Sequence, residues 1–203
     1  MSDPTVEYVT LLDWRRAVAE LYVDVRRLRA TDVVAAHRLW RERRDLLFRT
    51  HPESPIPPAE RAAFRGLPYF AYDPRFATRA TIRALPRERF DVPSSTGEEN
   101  IPFVRFGAVD LEWGSLEVFW LDAYSGGVFL PFRDATAGSS TYGAGRYLLD
   151  TAKSADLGSV GAELVLDFNF AYHPSCRYDP KWVCPLAPPG NRLAVAIEAG
   201  ERM

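Results

Sequence analysis

The sequence has few of the residues that most enzymes use for nucleophilic or metal chemistry. Its 203 residues include two cysteines and three histidines, and none of the histidines lies in an obvious catalytic triad. No GxSxG, HExxH, P-loop or paired CxxC motif is present. These absences disfavour a serine hydrolase, a zinc protease and a P-loop nucleotide-binding protein. The sequence implies no metal and no particular cofactor.

Long apolar runs and a strong net charge are also missing. No run approaches the roughly 18 apolar residues that a membrane span needs. The first residues, MSDPTVE, lack the basic and apolar segments of a signal peptide. The net charge of −2 gives no general reason to expect a nucleic-acid partner. We therefore expect a cytoplasmic protein that binds neither membrane nor nucleic acid and whose thiols stay reduced.

What the sequence does contain is an ordinary globular composition, with 47% hydrophobic and 26% charged residues. A chain of this length can bury one sizeable core. Its charge is divided unevenly, because residues 11–50 carry a surplus of arginine and residues 101–203 a surplus of acids. The simplest interpretation is a set of solvated helix faces. The alternative is a basic surface that contacts a partner protein.

Two amphipathic helices are predicted in the first fifty residues. Apolar residues recur with the helical period over residues 14–28 and again over residues 33–47. Capping-box spacing predicts that the first helix begins near Thr10, and Thr31 is placed to cap the second. His37 lies beside the second apolar stripe, where a packing or surface role is more typical than a ligand role.

From Tyr69 onward the apolar pattern changes to period two, with turn residues at close intervals. The eight predicted strands are Ala77–Leu85, Arg89–Ser94, Phe103–Trp113, Ser115–Tyr124, Gly127–Arg133, Arg146–Thr151, Ala162–Phe170 and Arg192–Glu198. Several are apolar on both faces, which requires a filled interior and an outer cover. We therefore predict a mainly β protein of the α+β class. An antiparallel β-barrel-like domain at 67–203 would be covered by two or three helices in 1–66.

Several long motifs with fixed spacing occupy the C-terminal half. They read FRDxT from Phe132, YGxGRYL from Tyr142, DFNxAYxPxC from Asp167, then Cys184-Pro185 and Pro188-x-x-Asn191. Through them, roughly residues 100–200 resemble an uncharacterised bacterial family, the domain of unknown function numbered sixteen-eighty-four. The resemblance is looser over the N-terminal helices, and His173 stands where the family pattern has asparagine. It implies no activity and transfers no catalytic residue.

Five polar side chains fall on or beside the predicted strands: Arg133, Asp134, Arg146, Asp167 and Asn169. Such groups must be paired or hydrogen bonded if they point into a core. In one interpretation the two arginines and two aspartates form a structural network. In the other, Arg133 and Arg146 bind a carboxylate or phosphate while Asn169 orients the ligand. Asp134 or Asp167 would then be the candidate acid or base.

The glycine-rich run from Tyr142 to Tyr147 could present backbone N–H groups to a phosphate. It lacks the strand-to-helix context of a dinucleotide-binding loop and has no P-loop lysine. We therefore predict a turn or bulge between strands at this position.

The two cysteines, Cys176 and Cys184, lie in one loop with His173 close by. They lack the CxxC spacing that is typical of structural zinc sites. Three interpretations stay open: buried structural cysteines, a redox-sensitive pair, or a metal-binding or nucleophilic site that uses His173.

The same loop carries aromatic residues between prolines, among them Tyr172, Tyr178 and Trp182. They could wall a pocket or pack the loop onto the domain. The leading functional hypothesis is a protein that binds a small anionic ligand under this loop, with Tyr172 among the binding residues. The alternatives are an enzyme that uses Asp134 or Asp167 in the same pocket, and a non-catalytic protein-interaction module.

Overall fold

The computed structural model describes residues 4–203, which form three α-helices and eight strands. The helices are α1 (Pro4–Arg29), α2 (Val33–Thr50) and α3 (Pro58–Arg61). The strands are β1 (Ala77–Thr81), β2 (Arg83–Pro93), β3 (Asn100–Leu111), β4 (Gly114–Leu121), β5 (Val128–Phe132), β6 (Arg146–Asp150), β7 (Ser159–Val160) and β8 (Glu163–Asp167). Seven of the eight predicted strands overlap an observed one.

The helix ends differ from the sequence prediction. Helix α1 begins at Pro4, so Thr10 lies within it, and the Thr10 hydroxyl donates to Glu53 Oε1 at 2.5 Å. Helix α2 is capped by Asp32, whose Oδ1 accepts from the Ala35 N–H at 2.9 Å. Thr31 instead donates its hydroxyl to a carbonyl of α1. Asp32 rather than Thr31 caps the helix because its carboxylate accepts from a free N–H group of the first turn. Its negative charge also interacts favourably with the positive end of the helix dipole.

The strands form two open antiparallel sheets, so the predicted barrel closure is wrong. The larger sheet has the order β2-β3-β4-β5-β6 and the smaller one the order β1-β8-β7. Strand β2 is mostly exposed and contains prolines, features typical of a free sheet edge. At the opposite edge, Tyr147 of β6 exchanges backbone hydrogen bonds with Tyr172 in a loop. The mainly β, α+β class with helices at the N-terminus is confirmed.

The apolar faces that suggested a barrel are covered from two directions. One face of the larger sheet packs on the smaller sheet, through side chains such as Val118, Leu130 and Leu166. The other face carries an aromatic cluster of Phe103, Phe119, Phe129 and Tyr147. Burial on both faces therefore arises from a second layer on one side and from aromatic packing on the other.

The predicted strand Arg192–Glu198 is absent, and the chain there bends as part of what we call the C-terminal strap, residues 192–203. Its backbone bonds to scattered loop positions: Leu193 N–H donates to the Arg133 carbonyl, and Glu201 N–H donates to the Ala171 carbonyl. Gly200 has φ +75°, and a Cβ there would lie 2.6 Å from two carbonyl oxygens. The strap therefore passes too close to the domain for a side chain at this position.

Helices α1 and α2 cover the β8 side of the domain. Leu21, Val25 and Trp40 from the helices form one buried cluster with Val165 and Phe170. His37 is buried in the same region. Its Nε2 lies 3.0 Å from the Asn169 carbonyl oxygen, in agreement with the packing role expected for it.

Asn191 provides a first test of how the strap is joined to the larger sheet. Its Oδ1 accepts from the Glu117 N–H, and its Nδ2 donates to the carbonyls of Glu117 and Pro131 at 2.9 and 2.8 Å. We expect Asn191→Ala to lower the free energy of unfolding by about 2 kcal/mol, because buried backbone groups lose their partners. Urea denaturation measures this, with the exposed Asn100→Ala as control. Equal stability of the two variants would contradict the prediction.

Candidate functional site

A cavity of about 310 Å³ lies between helices α1 and α2 and the loop that follows Tyr172. We call it the helix–loop cavity. Its lining is mainly apolar and aromatic. The lining residues are Leu11, Trp14, Arg15, Val18, Leu21, Tyr22, Arg44, Leu47, Phe48, Glu53, Pro55, Tyr147, Lys153, Ala155, Tyr172, His173, Pro174, Ser175 and Trp182. A lining of this kind favours a ligand with an apolar body.

Three tyrosines line the cavity wall on the side of the domain. The rings of Tyr147 and Tyr172 meet edge to face, with centroids 5.7 Å apart. Tyr22 accepts a hydrogen bond from Trp40 Nε1 at 3.2 Å. Burial raises the pKa of Tyr22 to about 12 and raises the pKa of Tyr147 and Tyr172 well above the usual range. All three phenols are therefore neutral hydrogen-bond donors at physiological pH.

Arg44 is the buried charge of the cavity, with 7% of its surface exposed. Its Nη2 donates to Glu201 Oε2 at 2.8 Å, and its guanidinium lies 5.0 Å from the centre of the Tyr172 ring. Burial alone would lower the pKa of Arg44, but Tyr69 and Glu201 together raise it above its usual value. Arg44 therefore stays charged. Its Nε is buried and makes no hydrogen bond, and the buried Tyr69 hydroxyl also lacks one.

Glu201, the partner of Arg44, is itself hydrogen bonded to His173. Glu201 Oε2 also accepts from the His173 N–H at 3.1 Å, and Oε1 lies 3.5 Å from His173 Nδ1. His173 Nε2 accepts from the Tyr142 N–H at 3.1 Å, which assigns the ring proton to Nδ1, facing Glu201. Burial alone would raise the pKa of Glu201, but the charge of Arg44 and the hydrogen bonds from His173 hold it below its ordinary value.

The mouth of the cavity carries further charges. Arg15 and Lys153 are exposed, whereas Glu53 is half-buried. Lys153 Nζ lies 3.8 Å from the buried Asp150, whose Oδ1 has no partner and whose pKa is raised by burial. With Arg44, three cationic side chains and one acid line the cavity, so the lining itself has a surplus of positive charge, although Arg44 and Lys153 also have carboxylate partners in Glu201 and Asp150.

Arg146 and Asp134 lie elsewhere, beneath the C-terminal strap, and both are 1% exposed. Arg146 donates to the carbonyls of Ile197, Ala199 and Glu201 and, at 3.2 Å, to Asp134 Oδ2. Asp134 Oδ2 also accepts from the Ile197 N–H at 2.6 Å. The two side chains thus serve as the hydrogen-bonding partners that a neighbouring strand would otherwise supply.

Arg133 is half-buried beside this network, and its Nε reaches the Ala144 carbonyl at 3.4 Å. Its guanidinium does not line the helix–loop cavity.

Asp167 and Asn169 form a separate buried network. Asp167 Oδ1 accepts from Asn169 Nδ2 at 2.9 Å, and Oδ2 lies 3.3 Å from the Tyr72 hydroxyl and 3.5 Å from Arg29. Asn169 also bonds both backbone groups of Asp73. Burial raises the pKa of Asp167 in spite of these partners. Of the six candidate site residues, Tyr172 lines the cavity and the other five do not.

The glycine-rich run forms the predicted turn. The Gly145 N–H donates to the Tyr142 carbonyl at 2.9 Å. Gly145 has φ +99°, and a Cβ there would collide with the Phe132 carbonyl oxygen. The glycine is needed for the close approach of two chain segments.

The two cysteines are free thiols, and both are buried. Among residues 4–203, no group of three or more His, Cys, Asp or Glu side chains is arranged to hold a metal ion. No helix in the described part of the chain is long and apolar enough to cross a membrane.

Arg44 is the residue that sequence reasoning missed. It follows Trp40 by four positions and precedes Leu47 by three, so it lies within the apolar stripe of α2. A charge inside an apolar stripe is a signal of a buried, partnered group. The partner, Glu201, lies 157 positions away along the chain, and local sequence patterns do not predict a pairing at that distance.

A family model described as "Protein of unknown function (DUF1684)" matches residues 62–202, more than half of the chain. The chain belongs to this family. The solution NMR structure of an uncharacterized protein from Haloarcula marismortui is also similar, at 36% identity and a TM-score of 0.56. That match covers 80% of this chain and 90% of the other. No curated protein matches.

The DUF1684 segment supplies only part of the helix–loop cavity. Tyr147, Lys153 and the residues from Tyr172 to Trp182 fall inside the matched range. The wall formed by α1 and α2, including Arg44, precedes it. The family is of unknown function and the Haloarcula marismortui protein is uncharacterized, so neither similarity brings an activity with it.

Proposed function

We propose that the protein binds a small amphipathic anion, such as an organic acid with an apolar body, in the helix–loop cavity. The cavity volume of about 310 Å³ is at the lower end of the range for small-molecule sites. Its apolar and aromatic lining would bury the body of such a ligand, and its cationic groups would bind the acid.

The observation that carries this proposal is the buried guanidinium of Arg44 in the wall of a mainly apolar cavity. The exposed fraction of this side chain is 9%, against 56% for Lys153. A charge-assisted hydrogen bond to a buried guanidinium is stronger than one made at the surface. A cationic ligand is disfavoured because Arg15, Arg44 and Lys153 line the same space and would repel it.

The residues that the sequence indicates for an anion site would have different roles in this binding mode. Tyr172 would contact the ligand through its ring and hydroxyl. Arg146 would act at a distance, because it holds the strap that positions Glu201, the partner of Arg44. Asp134 and Asp167 are engaged in other hydrogen bonds and do not line the cavity, so we propose no catalytic step.

The test compares octanoate with octanol, which has the same apolar chain but no charge. We expect octanoate at about 100 times its Kd to add roughly 2.7 kcal/mol of stability in a thermal-shift experiment, and octanol to bind far more weakly. Arg15→Gln combined with Lys153→Gln should weaken octanoate binding about tenfold, a change of about 1.4 kcal/mol.

Two controls make this test specific. Arg16→Gln combined with Arg87→Gln removes the same charge from exposed positions outside the cavity lining and should leave the Kd unchanged. Leu47→Trp fills the cavity and should abolish binding, with a normal unfolding transition showing that the variant is folded. Equal binding of octanol and octanoate, or undiminished binding by Leu47→Trp, would overturn the proposal.

A further inference from the structure

The two cysteines are held against each other in the loop that walls the helix–loop cavity. The Cys176 N–H donates to Cys184 Sγ at 3.3 Å, and both sulfurs are free thiols. Cys176 is 9% exposed and Cys184 is 2% exposed. The structure thus brings together two thiols that eight positions of chain separate, without joining them.

The surroundings distinguish the two thiols. A hydrogen bond from Cys184 is the largest cause that lowers the pKa of Cys176 to about 6, and the same bond raises the pKa of Cys184. The Tyr142 hydroxyl lies 4.0 Å from Cys176 Sγ and also favours its thiolate. Cys176, the more exposed of the pair, is therefore placed to react first, and Cys184 is placed to react second.

The backbone around Cys184 is fixed by Ser95. The Cys184 N–H donates to Ser95 Oγ at 2.9 Å, and the Ser95 N–H donates to the Cys184 carbonyl at 2.9 Å. Ser95 Oγ in turn donates to the Trp182 carbonyl at 2.8 Å. These bonds keep Cys184 beside Cys176 and connect the pair to Trp182, which lines the cavity.

We propose that Cys176 and Cys184 form a redox-active dithiol that hydrogen peroxide converts into a disulfide. The Cys176 thiolate attacks one peroxide oxygen, the O–O bond breaks, and sulfenic acid and hydroxide form. Cys184 then loses its proton and attacks the sulfenic sulfur, which releases water and forms the S–S bond. In total, two thiols are oxidised by two electrons and one peroxide is reduced to two waters. This inference is independent of the proposed ligand.

The experiment exposes the folded protein to hydrogen peroxide and follows it by intact mass. We expect the wild type to lose two hydrogen atoms, with both free thiols lost together and both restored by dithiothreitol. Cys184→Ser should stop at a sulfenic acid on Cys176 that dimedone traps. Cys176→Ser should react at least tenfold more slowly, and the wild-type rate should reach half its maximum near pH 6.

The intact mass of the protein is measured without any ligand, and unfolding in urea shows whether each variant is folded. Peroxide that leaves both thiols free in the folded wild type would overturn it. Equal oxidation rates in Cys176→Ser and Cys184→Ser would also overturn it. The oxidised protein should further show changed Trp182 fluorescence relative to Trp182→Phe, since the disulfide closes the loop that contains this residue.

Discussion

Replacing Arg146 with methionine is expected to lower the free energy of unfolding by about 4 kcal/mol, enough to unfold much of a marginally stable domain. The guanidinium makes four hydrogen bonds in the native state, to three strap carbonyls and the Asp134 carboxylate. Methionine preserves much of the apolar volume but none of these bonds. Asp134 would then be a buried charge that has lost its ionic partner. Burial lowers the pKa of Arg146 to about 10, so the side chain is charged throughout the physiological range.

Two comparison variants separate the pairing from the packing. Arg133→Met makes the same chemical change at a half-buried neighbour whose side chain makes a long hydrogen bond, and should cost less than about 1 kcal/mol. Asp134→Asn combined with Arg146→Met should recover part of the loss, because the unpaired charge is gone while the carbonyls remain unbonded. Chemical denaturation measures all three variants. A loss for Arg146→Met no larger than for Arg133→Met would show that the strap does not depend on this side chain.

The network around Arg146 also shows why the fold was predictable in part. Local period and turn residues located seven of the eight predicted strands, because alternation and glycine-containing turns depend on near neighbours. Closure of a β-barrel depends on which edge strands of the sheet pair with each other. The edge of β6 bonds to Tyr172, and the strap bonds to side chains such as Arg146, so no ladder forms there. Pairings of that kind leave no periodic signal in the sequence.

The candidate site, like the fold, was predictable from the sequence only in part. The sequence indicates the polar candidate residues because charged side chains are unusual in strand-like segments. Their need for partners follows from the cost of burying an unpaired polar group. Which partner each side chain takes was not predictable. Arg146 faces the strap, Asn169 faces Asp73, and Tyr172 alone among the candidates reaches the cavity. The cavity itself needs α1 and α2 to meet a loop more than a hundred residues later.

Glu201→Gln is expected to lower the free energy of unfolding by about 3 kcal/mol at pH 7, because it leaves Arg44 as a buried charge without its ionic partner. The amide keeps the size of the side chain and still accepts the His173 N–H bond, so the loss reports the charge. Glu198→Gln makes the same change at an exposed position of the strap and should alter stability by less than about 0.5 kcal/mol.

The pH dependence distinguishes a charge effect from a packing defect. Because the folded pKa of Glu201 lies below its ordinary value of 4.5, the pairing contributes fully above that value. The contribution is lost as the pH falls through the folded pKa. The difference in stability between wild type and Glu201→Gln should therefore shrink as the pH falls below about 4. Asp150 and Asp167 have raised pKa values and act in the opposite direction, but both are present in each protein and cancel in the difference.

The same variant links stability to the proposed binding site. With the carboxylate replaced by an amide, the Arg44 guanidinium has lost its counter-charge, so a bound acid should recover more free energy in Glu201→Gln than in wild type. We therefore expect octanoate to stabilise Glu201→Gln more strongly than wild type at equal concentration, while Glu198→Gln responds as wild type does. Thermal shifts at pH 7 measure this directly. A response in Glu201→Gln no larger than that of wild type would contradict the role of Arg44 in binding the acid of the ligand.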